Sequence, residues 1–212
     1  MNSFQQWGDT LRLLVEIAGT AAFALSGVLE GARKRLDAVG IFVVGFLAAF
    51  GGGTLRDLLL DERPFFWVRH VEMLWGMLAL CLLSMLFLRR HHFETTLRTI
   101  AVPDALGLGL FTATGVHQAL VSGMPALVAV LMGLITGVFG GVLRDIVCNQ
   151  IPATFSDHQP YAVCAFIGGW CYVGVWQLGA PGWLALLACV GVTAGLRWLA
   201  LWRNWRLPAW QL

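Results

Sequence analysis

Charge is scarce in this chain: only 12% of its 212 residues are Asp, Glu, Lys or Arg, and Lys34 is its single lysine. With 58% hydrophobic residues and a mean hydropathy of +0.74, too few solvating groups remain to cover a water-exposed globule. That excludes a soluble enzyme as the starting class. A net charge of +2 lacks the strongly basic footprint of a nucleic-acid binder. Cys81, Cys148, Cys164, Cys171 and Cys189 have no paired metal-ligand spacing and lie in or beside apolar runs, so they are expected as small buried hydrophobes. The opening MNSFQQWGDTLRLLVEIAG has no basic n-region and no small-residue cleavage site, and is expected to be a first span rather than a removed signal. HExxH and GxSxG are absent and no nucleophile–base set stands out, which argues against an intramembrane enzyme. No cofactor and no metal site are expected.

What is abundant is long apolar sequence. Stretches near 10–29, 38–60, 71–88, 103–121, 125–147, 160–178 and 181–202 each approach the roughly 20 residues that cross a bilayer. Seven transmembrane helices are predicted, in one integral membrane domain covering 1–212. Arg33, Lys34 and Arg35 follow the first stretch, Arg89, Arg90 and Arg98 follow the third, and Arg203 and Arg206 follow the last. The connectors at 122–125 and 179–182 carry no charge. The positive-inside rule then puts the N-terminus outside and the C-terminus in the cytoplasm. Trp7, Trp67, Trp176 and Trp183 fall at predicted outer ends, and Trp198, Trp202 and Trp205 at the inner end of the last span, where amphipathic rings anchor.

The chain also repeats itself. GGGTLRDLLLDERP at 51–64 aligns without gaps to FGGVLRDIVCNQIP at 139–152, a shift of 88 residues. The same shift matches Gly19 with Gly107, Phe23 with Phe111, Gly27 with Gly115, Val28 with Val116, Gly45 with Gly133 and Pro64 with Pro152, and sets Glu16 against Asp104. Apolar composition produces scattered Leu and Val coincidences, but not one fixed shift that aligns Gly-Gly, Arg-Asp and Pro together. The expected organisation is a first repeat over 10–89, a second over 98–178 and a seventh helix at 181–202. A unit of three helices crosses an odd number of times, so the second copy must enter the membrane inverted.

Chemistry concentrates in the matched motifs. Each glycine in a helix interior costs roughly 1 kcal/mol relative to alanine, so Gly51, Gly52 and Gly53 in the second span, and Gly140 and Gly141 in the fifth, are expected to kink or unwind it. Irregular backbone in a bilayer is tolerated only against protein or a water-filled cavity. Gly27, Gly45, Gly115 and Gly133 are read instead as small residues that let helices pack closely. Arg56 and Arg144 follow the glycine clusters, and an arginine at a helix centre costs about 2.5–3.5 kcal/mol on insertion scales, so both should face the bundle interior. Asp57 and Asp145 are their sequence neighbours and should point to other helix faces. Glu16 and Asp104 match the two arginines in depth. The predicted pairs are therefore Glu16 with Arg56 and Asp104 with Arg144. In the alternative, both arginines snorkel to lipid phosphate.

Weaker signals are Ser26, Thr112, Thr114, Thr136, His117 and Gln118, which could wet a pathway, although Ser and Thr also bond to their own helix. His91 and His92 sit among basic residues in a cytoplasmic connector, and His70 and His158 share the repeat shift in connectors.

The paired GGGTLRD and FGGVLRD motifs, the three-plus-three-plus-one helix pattern and the outside N-terminus together resemble the bacterial branch of the trimeric intracellular cation channel (TRIC) family, over nearly the whole chain. The resemblance implies a homotrimer in the bacterial inner membrane. Each subunit would carry its own pore, bordered by the glycine-kinked second and fifth helices and conducting potassium and other monovalent cations. The same group has also been assigned a glycine-transport role, its repeats being treated as glycine-transporter domains. Animal relatives carry a lysine motif linked to lipid regulation, and it has no equivalent here.

Two mechanisms use the same residues. A cation channel would use carbonyls and hydroxyls to replace hydration, with Glu16, Asp57, Asp104 and Asp145 neutralising the arginines. A small-amino-acid carrier would hold a substrate carboxylate on arginine and rock its repeats to alternate access.

Overall fold

The computed structural model describes residues 3–91, 97–156, 160–206 and 208. Nine helices and no strand occur among the described residues: α1 (Ser3–Arg33), α2 (Ala38–Leu59), α3 (Phe66–Arg69), α4 (Val71–His91), α5 (Leu97–Val121), α6 (Ala126–Val147), α7 (Ala153–Ser156), α8 (Tyr161–Gln177) and α9 (Gly182–Arg203). Seven of these are long, and α3 and α7 are four-residue helices set just after the two glycine-bearing ones. Among the described residues, five helices are long and apolar enough to cross a membrane: α1 from Leu13, α2, α5 from Thr99, α6 and α9. The apolar part of α4 runs from Val71 to Leu86, and α8 has 17 residues.

Local chemistry sets the boundaries. Asp37 caps α2 by accepting from the Gly40 amide at 2.7 Å. Pro125, Pro160 and Pro181 stand at the N-caps of α6, α8 and α9. One boundary differs from expectation: the fourth apolar stretch was placed near 103–121, and α5 begins earlier, at Leu97, and carries Pro103 inside it. Left-handed backbone recurs at repeat-related turns. Arg35 (φ 57°) matches Gly123 (φ 77°), and Asp61 matches Asn149, both at φ 54°.

Packing repeats in the same way. α1 packs on α2 and α4, α5 packs on α6 and α8, and the two sets meet where α1 lies on α5 and α2 on α6. α9 covers α8 and α5 and has no counterpart. Within the first set, a Cβ added at Gly27 would lie 2.7 Å from the Gly45 Cα; within the second, one at Gly115 would lie 2.8 Å from the Gly133 Cα. The close-packing reading of these four glycines holds. Between the sets, Phe23 and Phe111 stack with centroids 5.4 Å apart, and both are buried with Ala48. Gly19 abuts Phe111, and its counterpart Gly107 abuts Phe23. The two contacts are related by the 88-residue shift.

Of the two expectations for the glycine clusters, a kink or an unwound turn, the second is corrected. Helix is continuous through Gly51, Gly52 and Gly53 in α2, and through Gly140 and Gly141 in α6. No unwound turn forms. A Cβ on Gly52 would stand 2.1 Å from the Thr136 carbonyl oxygen, and one on Gly140 would stand 2.3 Å from that of Ala48. The glycines let α2 and α6 cross backbone on backbone, and that close approach offsets their helix cost.

All five cysteines are free, and all but the half-buried Cys171 are buried. Trp183, Trp198, Trp202 and Trp205 are exposed, as interfacial anchors would be, whereas Trp67 turns inward against Phe46 and Phe50. His92 and His158 lie outside the described residues, as do the side chains of Trp7, Arg89, Arg90, His91 and Arg98.

Candidate functional site

The last turns of α2 and α6 each carry one buried guanidinium, Arg56 at 1% exposure and Arg144 at 6%. Neither reaches for the bilayer, so the snorkelling alternative falls. Arg56 Nη1 lies 3.4 Å from Glu16 Oε1, and Arg144 Nη1 lies 2.5 Å from Asp104 Oδ1. Both predicted pairs are present.

The aspartates beside the arginines depart from expectation. Arg56 Nε donates to Asp57 Oδ1 at 2.9 Å, and Arg144 Nε donates to Asp145 Oδ1 at 2.8 Å. Side chains of adjacent residues do leave a helix on different faces, but the arginine stem is long enough to fold back. The second oxygen of each aspartate has its own task. Asp57 Oδ2 accepts from the Phe66 amide at 2.7 Å, at the start of α3, and Asp145 Oδ2 accepts from the Ala153 amide at 3.0 Å, at the start of α7. Each carboxylate thus ties the guanidinium to the connector that follows its helix. Phe66 also turns its ring to Arg56, with the centroid 5.4 Å from the guanidinium carbon.

The two sites open into two cavities. One, about 360 Å³, is lined by Thr10, Glu16, Arg56, Glu62, Arg69 and His70. The other, about 570 Å³, is lined by Glu30, Arg33, Asp104, Arg144, Tyr161 and Arg197, among others. Glu16 and Glu30 are both on α1, and fourteen residues at about 1.5 Å each put them about 21 Å apart along it. The cavities are therefore at opposite ends of the helix core. Between them lie the Phe23–Phe111 stack and the α2–α6 crossing.

The weaker candidates separate cleanly. Ser26 joins the Arg144 site, accepting from Arg144 Nη1 and lying 3.4 Å from Asp104 Oδ1. Thr112, Thr114 and Thr136 bond to carbonyls of their own helices, those of Leu108, Phe111 and Met132. His117 lies 2.7 Å from the Tyr172 hydroxyl and packs on Trp176, an aromatic core contact. Gln118 donates to Glu62. His70 pairs with Glu72 at 2.9 Å on the exposed side.

Several polar residues of the sites escaped sequence reasoning. Glu30 binds Arg33 at 2.6 Å and accepts from Gln150, while Arg197 lies over the Tyr161 ring, 4.8 Å from its centroid. Signals existed. Glu30 lies just past the first apolar stretch, and Arg197 is an arginine inside the last one, where a charge is a functional signal by default. Gln118 and Gln150 each face a carboxylate whose repeat counterpart is the other glutamine. Only tracing polar residues through the 88-residue shift would have exposed that.

Comparison with known proteins agrees with this architecture. The family described as glycine transporter matches twice, over residues 13–89 and 101–177. The structure of the TRIC trimeric intracellular cation channel orthologue from Rhodobacter sphaeroides superposes with a TM-score of 0.86 at 32% identity, covering 92% of this chain and 100% of that one. This chain belongs to the TRIC family, with two glycine-transporter domains. A second structure, reported for conductance through TRIC cation channels, matches at a TM-score of 0.84 and 31% identity, covering 94% of this chain and 97% of that one. The UPF0126 membrane protein of Vibrio cholerae is 36% identical over 96% of this chain and 84% of its own length. The UPF0126 inner membrane protein YadS of Escherichia coli is 35% identical over 93% and 95%. Each of the two glycine-transporter matches contains one arginine with its two carboxylates: Glu16, Arg56 and Asp57 in the first, Asp104, Arg144 and Asp145 in the second.

Proposed function

We propose that the chain is a monovalent cation channel, permeable to potassium, that spans the bacterial inner membrane seven times as a homotrimer with one pore per subunit. Each pore runs between the two cavities, past Arg56 and Arg144. In this reading residues 10–89 and 98–178 are inverted repeats, 181–202 is the added helix, the N-terminus is outside and the C-terminus is cytoplasmic. Arg33, Lys34 and Arg35 then border the inner mouth and the uncharged connectors the outer face.

The observation that carries the proposal is charge balance. Each buried guanidinium touches two carboxylates, Glu16 and Asp57 at one end and Asp104 and Asp145 at the other, so neither arginine presents a net positive barrier. Arg197 offsets the surplus at the inner cavity, while at the outer cavity Glu62 adds a further carboxylate beside Arg69. A cation then meets a negative vestibule outside and a neutral one inside, which favours cations over anions. In the conformation described, the Phe23–Phe111 stack and the α2–α6 crossing close the path between the cavities.

A second reading is favoured by one observation. Two cavities at opposite ends of two repeat-related helix sets, with a closed middle, is also the plan of an alternating-access carrier, and a small zwitterion such as glycine matches the mixed charge of either cavity. Purified protein in liposomes separates the two. Unitary potassium currents without saturable uptake of labelled glycine reject the carrier, and saturable uptake without unitary currents rejects the channel.

A further inference from the structure

The shift of 88 residues relates two contacts that the arginine sites do not use. At the inner mouth Gln150, in the connector after α6, donates to Glu30 near the end of α1. At the outer mouth Gln118, near the end of α5, donates to Glu62, in the connector after α2. Glu30 corresponds to Gln118, and Gln150 to Glu62. Both mouths are therefore bridged by one carboxylate and one carboxamide, with the roles exchanged.

A third group completes only one of the bridges. Arg33 donates to both oxygens of Glu30, at 2.9 and 2.6 Å, and to Gln150 Oε1 at 3.1 Å. A positive charge thus sits between the carboxylate and the amide oxygen. Its repeat counterpart is Val121, the last residue of α5, which is 60% exposed and has nothing to donate. Gln118 is only 7% exposed, and its Oε1 has no hydrogen-bond partner among the described residues. A buried amide oxygen without a donor is costly, because it has given up water and gained nothing in return. Arg69 does not remedy this: its Nη2 stays 3.8 Å from Glu62 Oε2, and its Nε is committed to the Pro64 carbonyl at 2.7 Å.

We propose that Gln118 and Glu62 form a binding site for a monovalent alkali cation at the outer mouth, the ion taking the place that the Arg33 guanidinium takes at the inner one. One carboxylate and one amide oxygen supply a single negative charge and two hard oxygen ligands. That suits a partly hydrated monovalent ion, whereas calcium collects six to eight oxygens and usually several carboxylates. The inner bridge carries its own cation; the outer bridge borrows one from solution. The site adds an ion-binding pair to the channel reading, but it rests on the connector geometry and is tested by binding rather than by current.

The experiment is thermal unfolding of the full chain in nanodiscs, titrated with potassium chloride against N-methylglucamine chloride at constant ionic strength. The wild-type Tm is expected to rise with potassium and to saturate. Glu62→Gln and, separately, Gln118→Leu should each lose that rise, and Glu30→Gln should keep it. Val121→Arg builds the missing guanidinium. It should start at a higher Tm in N-methylglucamine and no longer respond to potassium. A wild-type Tm indifferent to potassium overturns the site, as does a full potassium response in Val121→Arg or Glu62→Gln, or a response to calcium alone. Potassium currents in a protein without this stabilisation overturn the site and leave the channel reading standing; stabilisation without currents does the reverse.

Discussion

Gly52 of α2 meets Thr136 of α6 so closely that a Cβ on the glycine would stand 2.1 Å from the threonine carbonyl oxygen, and Gly140 meets Ala48 in the same manner at 2.3 Å. The obstacle in both cases is backbone, which cannot swing aside. Gly52→Ala and Gly140→Ala should each therefore destabilise the protein by about 3 kcal/mol, the upper part of the usual range for overpacking. Gly76→Ala and Gly174→Ala, whose added Cβ meets nothing within 4 Å, should be neutral or stabilising by up to about 1 kcal/mol. Denaturant unfolding of the four variants checks the contrast.

Removing one member of a buried ion pair is worse than removing all of it. Arg144→Ala leaves Asp104 and Asp145 without their cation and should cost about 3–5 kcal/mol. The triple variant Arg144→Ala, Asp104→Asn, Asp145→Asn should recover part of that loss, because no uncompensated charge remains. Equal stability of the single and triple variants would contradict the charge-balance account.

The Phe23–Phe111 stack lies between the two cavities, so trimming it should widen the path. Phe111→Ala should raise potassium efflux from liposomes over wild type while lowering stability by about 3–5 kcal/mol. Reduced or unchanged efflux in a folded variant would place the constriction elsewhere.

Cys148, at the end of α6, is buried beside a charged cluster. Burial, chiefly, and the nearby carboxylates of Glu30 and Asp145 push its thiol above the ordinary value. The thiolate fraction at neutral pH is thus below that of an ordinary cysteine, and it rises only as pH climbs through the raised value. Maleimide labelling of Cys148, followed by mass spectrometry at pH 7 and pH 9, should be slow at the lower pH and faster at the higher.

Much of this structure was legible in the residues, because a bilayer punishes exceptions. The apolar stretches located the long helices, and the cost of a buried guanidinium required carboxylates at the depths of Glu16 and Asp104. Other features turn on geometry that a linear pattern does not carry. The glycine clusters look the same whether they break a helix or admit a neighbour, and only the position of α6 against α2 decides between the two. The contact from Arg56 to Asp57 depends on a side chain doubling back, which helical spacing argues against. The short helices α3 and α7 are four residues each, below the length at which a periodic pattern can be recognised. Arg197 belongs to the helix without a repeat counterpart, so the comparison that exposed Arg56 and Arg144 passed over it.

Asp57 and Asp145 each hold two things at once, a guanidinium deep in the helix core and the first amide of a short surface helix. Mechanically, each is a rivet through two plates. A push on either surface segment is delivered to the arginine behind it through one side chain, with no intervening chain of contacts. Whatever moves those segments therefore acts directly on a buried guanidinium.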